Sequence, residues 1–141
     1  MGSKVKVNTK WIGEMAFEST VGDHKIRLDA APEVGGNNSG ARPKPLMLVA
    51  LAGCTGIDVV SLMKKMRVNF DSLDIDVEGD LNDDHPKFFR TMKIIFTIKG
   101  RNVDREKVEK AVTLSKEKYC GVSALYAKAI PLEYEIIISK D

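Results

Sequence analysis

The chain of 141 residues carries two thiols, Cys54 and Cys120, set 66 residues apart. Cys54 stands in the run ALAGCTGIDVV, Ala50 to Val60, flanked by Gly53 and Gly56. A glycine inside a helix costs about 1 kcal/mol relative to alanine. Two of them beside a thiol imply a need for room, either for another helix or for a substrate approaching the sulfur. By residue type alone, two lone cysteines in apolar segments behave as small hydrophobes. Redox chemistry would require that they meet in space and that something positive lower a thiol pKa. The middle of a helix gives Cys54 little such help, because the helix dipole acts in the end turns. Neither cysteine belongs to a Cys-x-x-Cys pair, and the two histidines, His24 and His85, fall in turn-like segments. A zinc site needs about four clustered ligands at short spacings, so neither metal nor cofactor is expected.

The elements that must position these residues follow from hydrophobic period and turn chemistry. Lys4 to Trp11, Met15 to Thr20 and Lys25 to Asp29 alternate as short strands, with Gly22-Asp23 as a turn, and predict an antiparallel meander. Ala31 to Pro45 is rich in Gly, Asn and Pro and predicts a long loop. A helix is predicted from Leu46 to Arg67, opened by Pro45 and closed by Lys64, Lys65 and Arg67. Its first half is apolar all round, which implies burial all round and, in so short a chain, a dimer. Leu73 to Gly79 and Phe88 to Lys99 predict a hairpin, with Asn82 to Pro86 as its turn. Asp104 caps a helix running from Arg105 to about Lys118. A break surrounds Tyr119 to Gly121, Ser123 to Lys128 reads as a short helix, and Leu132 to Ser139 as the last strand. The order βββ-α-ββ-α-β is an α+β arrangement of antiparallel sheets with a long central helix, and the whole chain, 1–141, reads as a single domain.

Composition narrows the function classes. Lysine and arginine exceed the acids by 22 − 20 = +2, which gives no electrostatic case for nucleic acid or a membrane surface as partner. No unbroken run of 18 apolar residues occurs and the start of the chain shows no apolar signal-peptide core, so the cytoplasm is the expected compartment. There a disulfide between two cysteines is transient and redox-active rather than structural.

The segment RPKPLMLVALAGCTGIDVVSLMKKMRV, Arg42 to Val68, taken with EKYCGVSAL, Glu117 to Leu125, resembles the OsmC/Ohr superfamily, in the branch with a Gly-Cys-Thr helix. The resemblance covers essentially the whole element order. It implies an intertwined homodimer whose sites lie at the interface, and a cytoplasmic, antioxidant, stress-response thiol peroxidase. The position matching Cys54 attacks an organic hydroperoxide and becomes a sulfenic acid, and the position matching Cys120 resolves it as a disulfide, which a dithiol reductant then reduces. Ala50, Gly53, Thr55, Gly56 and Ile57 would line an apolar pocket. Active members also carry a glutamate nine or ten residues before the first cysteine, paired with an arginine from the early hairpin. This chain has Pro45 and Lys44 there, no acid between Gly35 and Thr55, and no arginine in Ile12 to Phe17. Arg42 and Lys44 are the candidate activating cations. Asp58, one turn past Cys54 on the same face, raises a thiol pKa unless neutralised, and its expected partner lies across the dimer. The alternative function is an OsmC-like dimer that binds a small apolar molecule or senses thiol redox state with weak turnover or none.

Overall fold

The computed structural model describes residues 2–140, so Met1 and Asp141, the ends of the expected domain, lie outside the described residues. The chain divides into two compact units, residues 1–47 and 48–141.

In the first unit three strands, β1 (Asn8–Gly13), β2 (Ala16–Val21) and β3 (His24–Leu28), form the expected antiparallel meander in the order β1-β2-β3. The tight turns rest on Gly13, Glu14 and Gly22, all at positive φ. The sheet is thin. Ala16 and Ser19 are buried, while Trp11, Phe17, Val21 and Ile26 remain exposed. The Gly/Asn-rich loop is better ordered than its composition suggests. It opens with a 3-10 turn, Pro32–Val34, and Ala41 forms a parallel bridge with Leu28. At its centre the buried carboxylate of Asp29 accepts from the backbone N–H of Ala30 (2.8 Å), of Asn37 (3.1 Å) and of Ser39 (3.0 Å), and from the Ser39 hydroxyl (2.7 Å). The loop folds so tightly there that a Cβ on Gly36 would stand 1.9 Å from the Ala30 carbonyl oxygen.

The second unit is built on α1 (Pro45–Lys65), whose first residues close the first unit. The helix starts at Pro45, where a missing N–H costs nothing. It ends with Arg67 left-handed (φ 58°) and Val68 N–H bonded to the Met63 carbonyl at 2.9 Å, a Schellman-type stop. The Lys107 ammonium donates to the Met66 carbonyl at 3.0 Å, satisfying another terminal acceptor. α1 is not buried all round. Its buried residues, Leu51, Thr55, Val59 and Met63, recur every fourth position, while Met47, Val49 and Ile57 are exposed. By length and composition α1 could also cross a bilayer, a possibility that counting unbroken apolar runs passes over. Its stripe instead belongs to the core, with Leu51, Val59 and Met63 in one cluster with Met92, Ile94, Phe96, Ile98, Val108, Ala111 and Val112.

The sheet facing that core contains β4 (Ser72–Leu81), β5 (Phe89–Lys99) and β6 (Leu132–Ser139) in sequence order. On β5, Met92, Ile94, Phe96 and Ile98 alternate inward. β4 pairs with β5 antiparallel, as expected, but β6 runs parallel to β5. The expected all-antiparallel arrangement therefore holds for the first sheet, and the second is mixed. The cause is the connection: two helices lie between β5 and β6, and a helical crossover returns the chain in the same direction. α2 (Arg105–Leu114) begins at Asp104, which accepts from Lys107 N–H at 3.4 Å. The expected continuation to Lys118 is instead a π-helical turn, Ser115–Tyr119, closed by Cys120 N–H to the Ser115 carbonyl at 2.8 Å. α3 (Gly121–Ala127) follows.

The hydroxyl of Ser39 and the amides converging on Asp29 hold its carboxyl well below the usual carboxylate range. Because the folded value is the lower one, the charged form stabilises the loop at all pH above the unfolded value of about 4, and this is lost as pH falls further. The stability difference between wild type and Asp29→Asn in thermal melts is expected to be full at neutral pH and to shrink steadily below about pH 4.

Candidate functional site

The four-residue period that buries α1 sets the site. Thr55 lies on the buried stripe and is 1% exposed. Cys54, one residue earlier, is half-buried at its edge, and Asp58, four residues on, shares its side of the helix. The π turn delivers the rest. A π turn inserts an extra residue into the helical repeat, so the chain leaves α2 with Ser115 and Cys120 both buried. The result joins residues 66 positions apart: the sulfurs of Cys54 and Cys120 and a carboxylate oxygen of Asp58 all lie within 4.8 Å of one another. Both cysteines are free thiols.

The two sulfurs have different surroundings. Cys120 Sγ accepts from the Thr55 hydroxyl at 3.4 Å and from the Ser123 N–H at 3.3 Å, and the Ser123 hydroxyl is bonded to the Cys120 carbonyl at 3.1 Å. Burial opposes ionisation of Cys120, but donors from Ser123, Thr55 and the Cys54 thiol outweigh it and bring the pKa below the ordinary thiol value. Cys54 is pushed the other way, first by burial and then by Cys120 and the charge of Asp58, with only the Val122 N–H in opposition. Of the two sulfurs, Cys120 is thus the one whose surroundings favour ionisation, and Cys54 is the more accessible, since Cys120 is 2% exposed.

The other expected site residues fall out unevenly. Asp58 takes its hydrogen bond within its own chain, from the Ser115 hydroxyl at 3.0 Å. Gly56 is a packing glycine, because a Cβ there would meet Ile75 Cδ1 at 2.9 Å, whereas a Cβ on Gly53 would meet nothing within 4 Å. Gly56 and Ile57 line an open depression of about 490 Å³ with Val60, Ser61 and Lys64. Ala50 is exposed. In the first unit, Arg42 donates to Asn38 Oδ1 (2.9 Å) and to the Gly40 carbonyl (3.1 Å), and Lys44 is exposed. Sequence reasoning missed Ser115 and Ser123. Ser115 opens the lysine-rich SKEKY and Ser123 sits in the apolar run GVSALYA, and their importance comes only from the π turn and the helix that follows it.

A long helix packed on a mixed sheet carries a Gly-Cys-Thr thiol that meets a second thiol from the crossover, and the chain belongs to the OsmC-like family: the OsmC-like protein profile matches residues 36–135. Among relatives, Protein YhfA of Escherichia coli strain K12 is 31% identical over 139 residues, covering 94% of this chain and 98% of that protein. Among solved structures, a hypothetical protein from Aquifex aeolicus VF5 superposes with a TM-score of 0.86 at 27% identity, over 99% of this chain and 100% of the other. An organic hydroperoxide resistance protein OsmC from Legionella pneumophila shares the fold, with a TM-score of 0.70 at 17% identity over 96% and 97% of the two chains.

The unequal sulfurs can be measured. A thiolate absorbance titration is expected to show two steps, the pKa of the first shifted down from that of an ordinary thiol. Thr55→Val, which keeps the shape and removes the donor, is expected to raise that value. Removing Cys54 as a donor, in Cys54→Ala, is expected to leave a single Cys120 titration at higher pH than the first step of wild type.

Proposed function

We propose that the protein is a thiol peroxidase for organic hydroperoxides, with Cys54 the peroxidatic and Cys120 the resolving cysteine. The observation that carries this reading is the approach of the two sulfurs to within 4.8 Å across 66 residues of sequence. Cys54 is the more exposed thiol and the one a substrate reaches first. As its sulfur attacks the distal peroxide oxygen, the O–O bond breaks, Cys54 becomes a sulfenic acid, and the departing alkoxide is protonated to an alcohol. In this reading the Cys54 proton passes to the Cys120 thiolate and on to the alkoxide. The Cys120 thiolate then attacks the sulfenic sulfur, the S–O bond breaks as the disulfide forms, and the departing hydroxide takes a proton from solvent to leave as water. A dithiol returns both thiols. Arg42 and Lys44 are the cations assigned to further thiolate activation, in place of the arginine and glutamate pair that the chain lacks.

The working form in this proposal is a cytoplasmic homodimer acting as one functional domain per chain. It is supported by the exposed apolar residues Val49 and Ile57 of the second unit and, separately, by Trp11, Phe17 and Ile26 on the meander of the first, since exposed apolar patches mark interaction surfaces. The open space at Gly53 suits a neighbouring helix. The missing glutamate favours a second reading, an OsmC-like binder or redox sensor with slow turnover.

Light scattering is expected to give the mass of two chains at micromolar concentration, and a folded monomer there would remove the dimer. Wild type is expected to consume cumene hydroperoxide faster than hydrogen peroxide and to accumulate the Cys54–Cys120 disulfide. Cys54→Ser is expected to abolish consumption while leaving the fold intact, and Cys120→Ser to stop at a trappable sulfenic acid. Equal consumption by wild type and Cys54→Ser would overturn the peroxidase and leave the binding protein. Arg42→Ala is expected to move the pH profile of Cys54 alkylation upward.

A further inference from the structure

We propose that, in the reduced protein, Cys54, Cys120 and Asp58 form a three-ligand site for a thiophilic divalent cation such as zinc. The spacing along the chain gives no hint of this, because the ligands come from two elements 66 residues apart. In the fold their donor atoms lie within 4.8 Å of one another. Zinc bonds of about 2.3 Å to sulfur and about 2.1 Å to oxygen set tetrahedral sulfur–sulfur separations near 3.8 Å, so closing the site needs side-chain adjustments of about 1 Å. Two of the ligands, Cys54 and Asp58, are four residues apart on one helix, the spacing that lets a single helix present two donors to one ion.

The surroundings are those of a ligand set held in place. The Ser115 hydroxyl donates to Asp58 Oδ2 at 3.0 Å and fixes the carboxylate. Thr55 and the Ser123 N–H donate to the Cys120 sulfur. Partners of this kind orient metal ligands and disperse thiolate charge. Two thiolates and a carboxylate around a divalent cation leave a net charge of about −1, which these donors temper. Three protein ligands leave the fourth position to water. Asp58 also lines a depression of about 140 Å³ with Ser61, Leu62, Lys65 and Tyr119, which gives the ion a way in.

Metal and disulfide exclude one another. When the S–S bond forms, the two thiolates give up two electrons, both sulfurs cease to be anionic ligands, and the ion is left with a carboxylate alone. The site is then a metal site in the reduced state only. This inference does not depend on peroxidase turnover, since any oxidant that closes the disulfide empties the site.

Cobalt(II), a spectroscopic stand-in for zinc, tests it on the reduced full-length protein without peroxide. One equivalent per chain is expected to give sulfur-to-cobalt charge-transfer bands and the intense visible bands of tetrahedral coordination, which zinc then bleaches. Cys54→Ser and Cys120→Ser are each expected to lose the wild-type charge-transfer spectrum, and Cys54→Ala and Cys120→Ala repeat the test without a hydroxyl ligand. Asp58→Asn is expected to weaken zinc at least 10-fold, the lower end of what losing even an outer-shell partner does, with circular dichroism confirming the fold of each variant. Diamide, which takes up the two electrons with two protons from solvent, is expected to close the disulfide and release the zinc. Three results would each overturn the site: no charge-transfer band in reduced wild type, a spectrum of wild-type position and intensity that persists in both cysteine variants, or unchanged zinc affinity in Asp58→Asn.

Discussion

The packing of one helix stripe on one strand governs the second unit. Leu51, Thr55, Val59 and Met63 face inward on α1, and the inward residues of β5 join the same core. Truncating a core leucine or methionine of this kind to alanine costs about 2–5 kcal/mol, and the stripe has little slack. Thr55 is its single polar member. A buried hydroxyl needs a partner, and it finds one in the Cys120 sulfur. The residue that completes the helix packing is therefore also the residue that ties the two halves of the thiol pair together. Moving α1 by one residue would replace Thr55 with Cys54 or Gly56 on the stripe and would remove the hydroxyl from which the Cys120 sulfur accepts.

The same geometry explains why the two cysteines differ. A thiolate is stable where donors converge, and donors converge at the end of the π turn, where Ser123 and Thr55 reach Cys120. Cys54 lies mid-helix, beside a carboxylate and at the edge of the core. The division of labour in the proposed chemistry, with charge on one sulfur and access on the other, follows from where each residue falls on its element.

Much of this was legible in the sequence, for identifiable reasons. The strand Leu132–Ser139 appears with the expected bounds. Pro45, Asp104 and the cations at the end of α1 mark helix limits by mechanisms that act within a few residues. The meander follows from its turn glycines. What stayed hidden depends on long-range geometry. The parallel pairing of β6 requires knowing that the crossover packs on one face of the sheet. The π turn has no signature in SKEKY beyond its lysines, yet it places Ser115, Cys120 and Ser123. The order of the Asn-rich loop depends on Asp29, an acid that reads as the end of a strand but collects four hydrogen bonds. For the site, the cysteine pair was legible only through resemblance. Asp58 was visible as a neighbour of Cys54, but its own-chain partner Ser115 was not.

The π turn has a further consequence for how the chain tolerates change in length. An α-helix advances about 100° per residue, so removing any one residue from Ser115–Tyr119 would let α2 run on as an ordinary helix and rotate everything after it by that angle. Cys120 would then leave the helix on a different azimuth, and the start of α3 would turn with it. The phase of the thiol pair is thus stored in a single extra residue. Point substitutions at the exposed positions Lys116, Glu117 and Lys118 leave that phase untouched, whereas a one-residue deletion among them erases it.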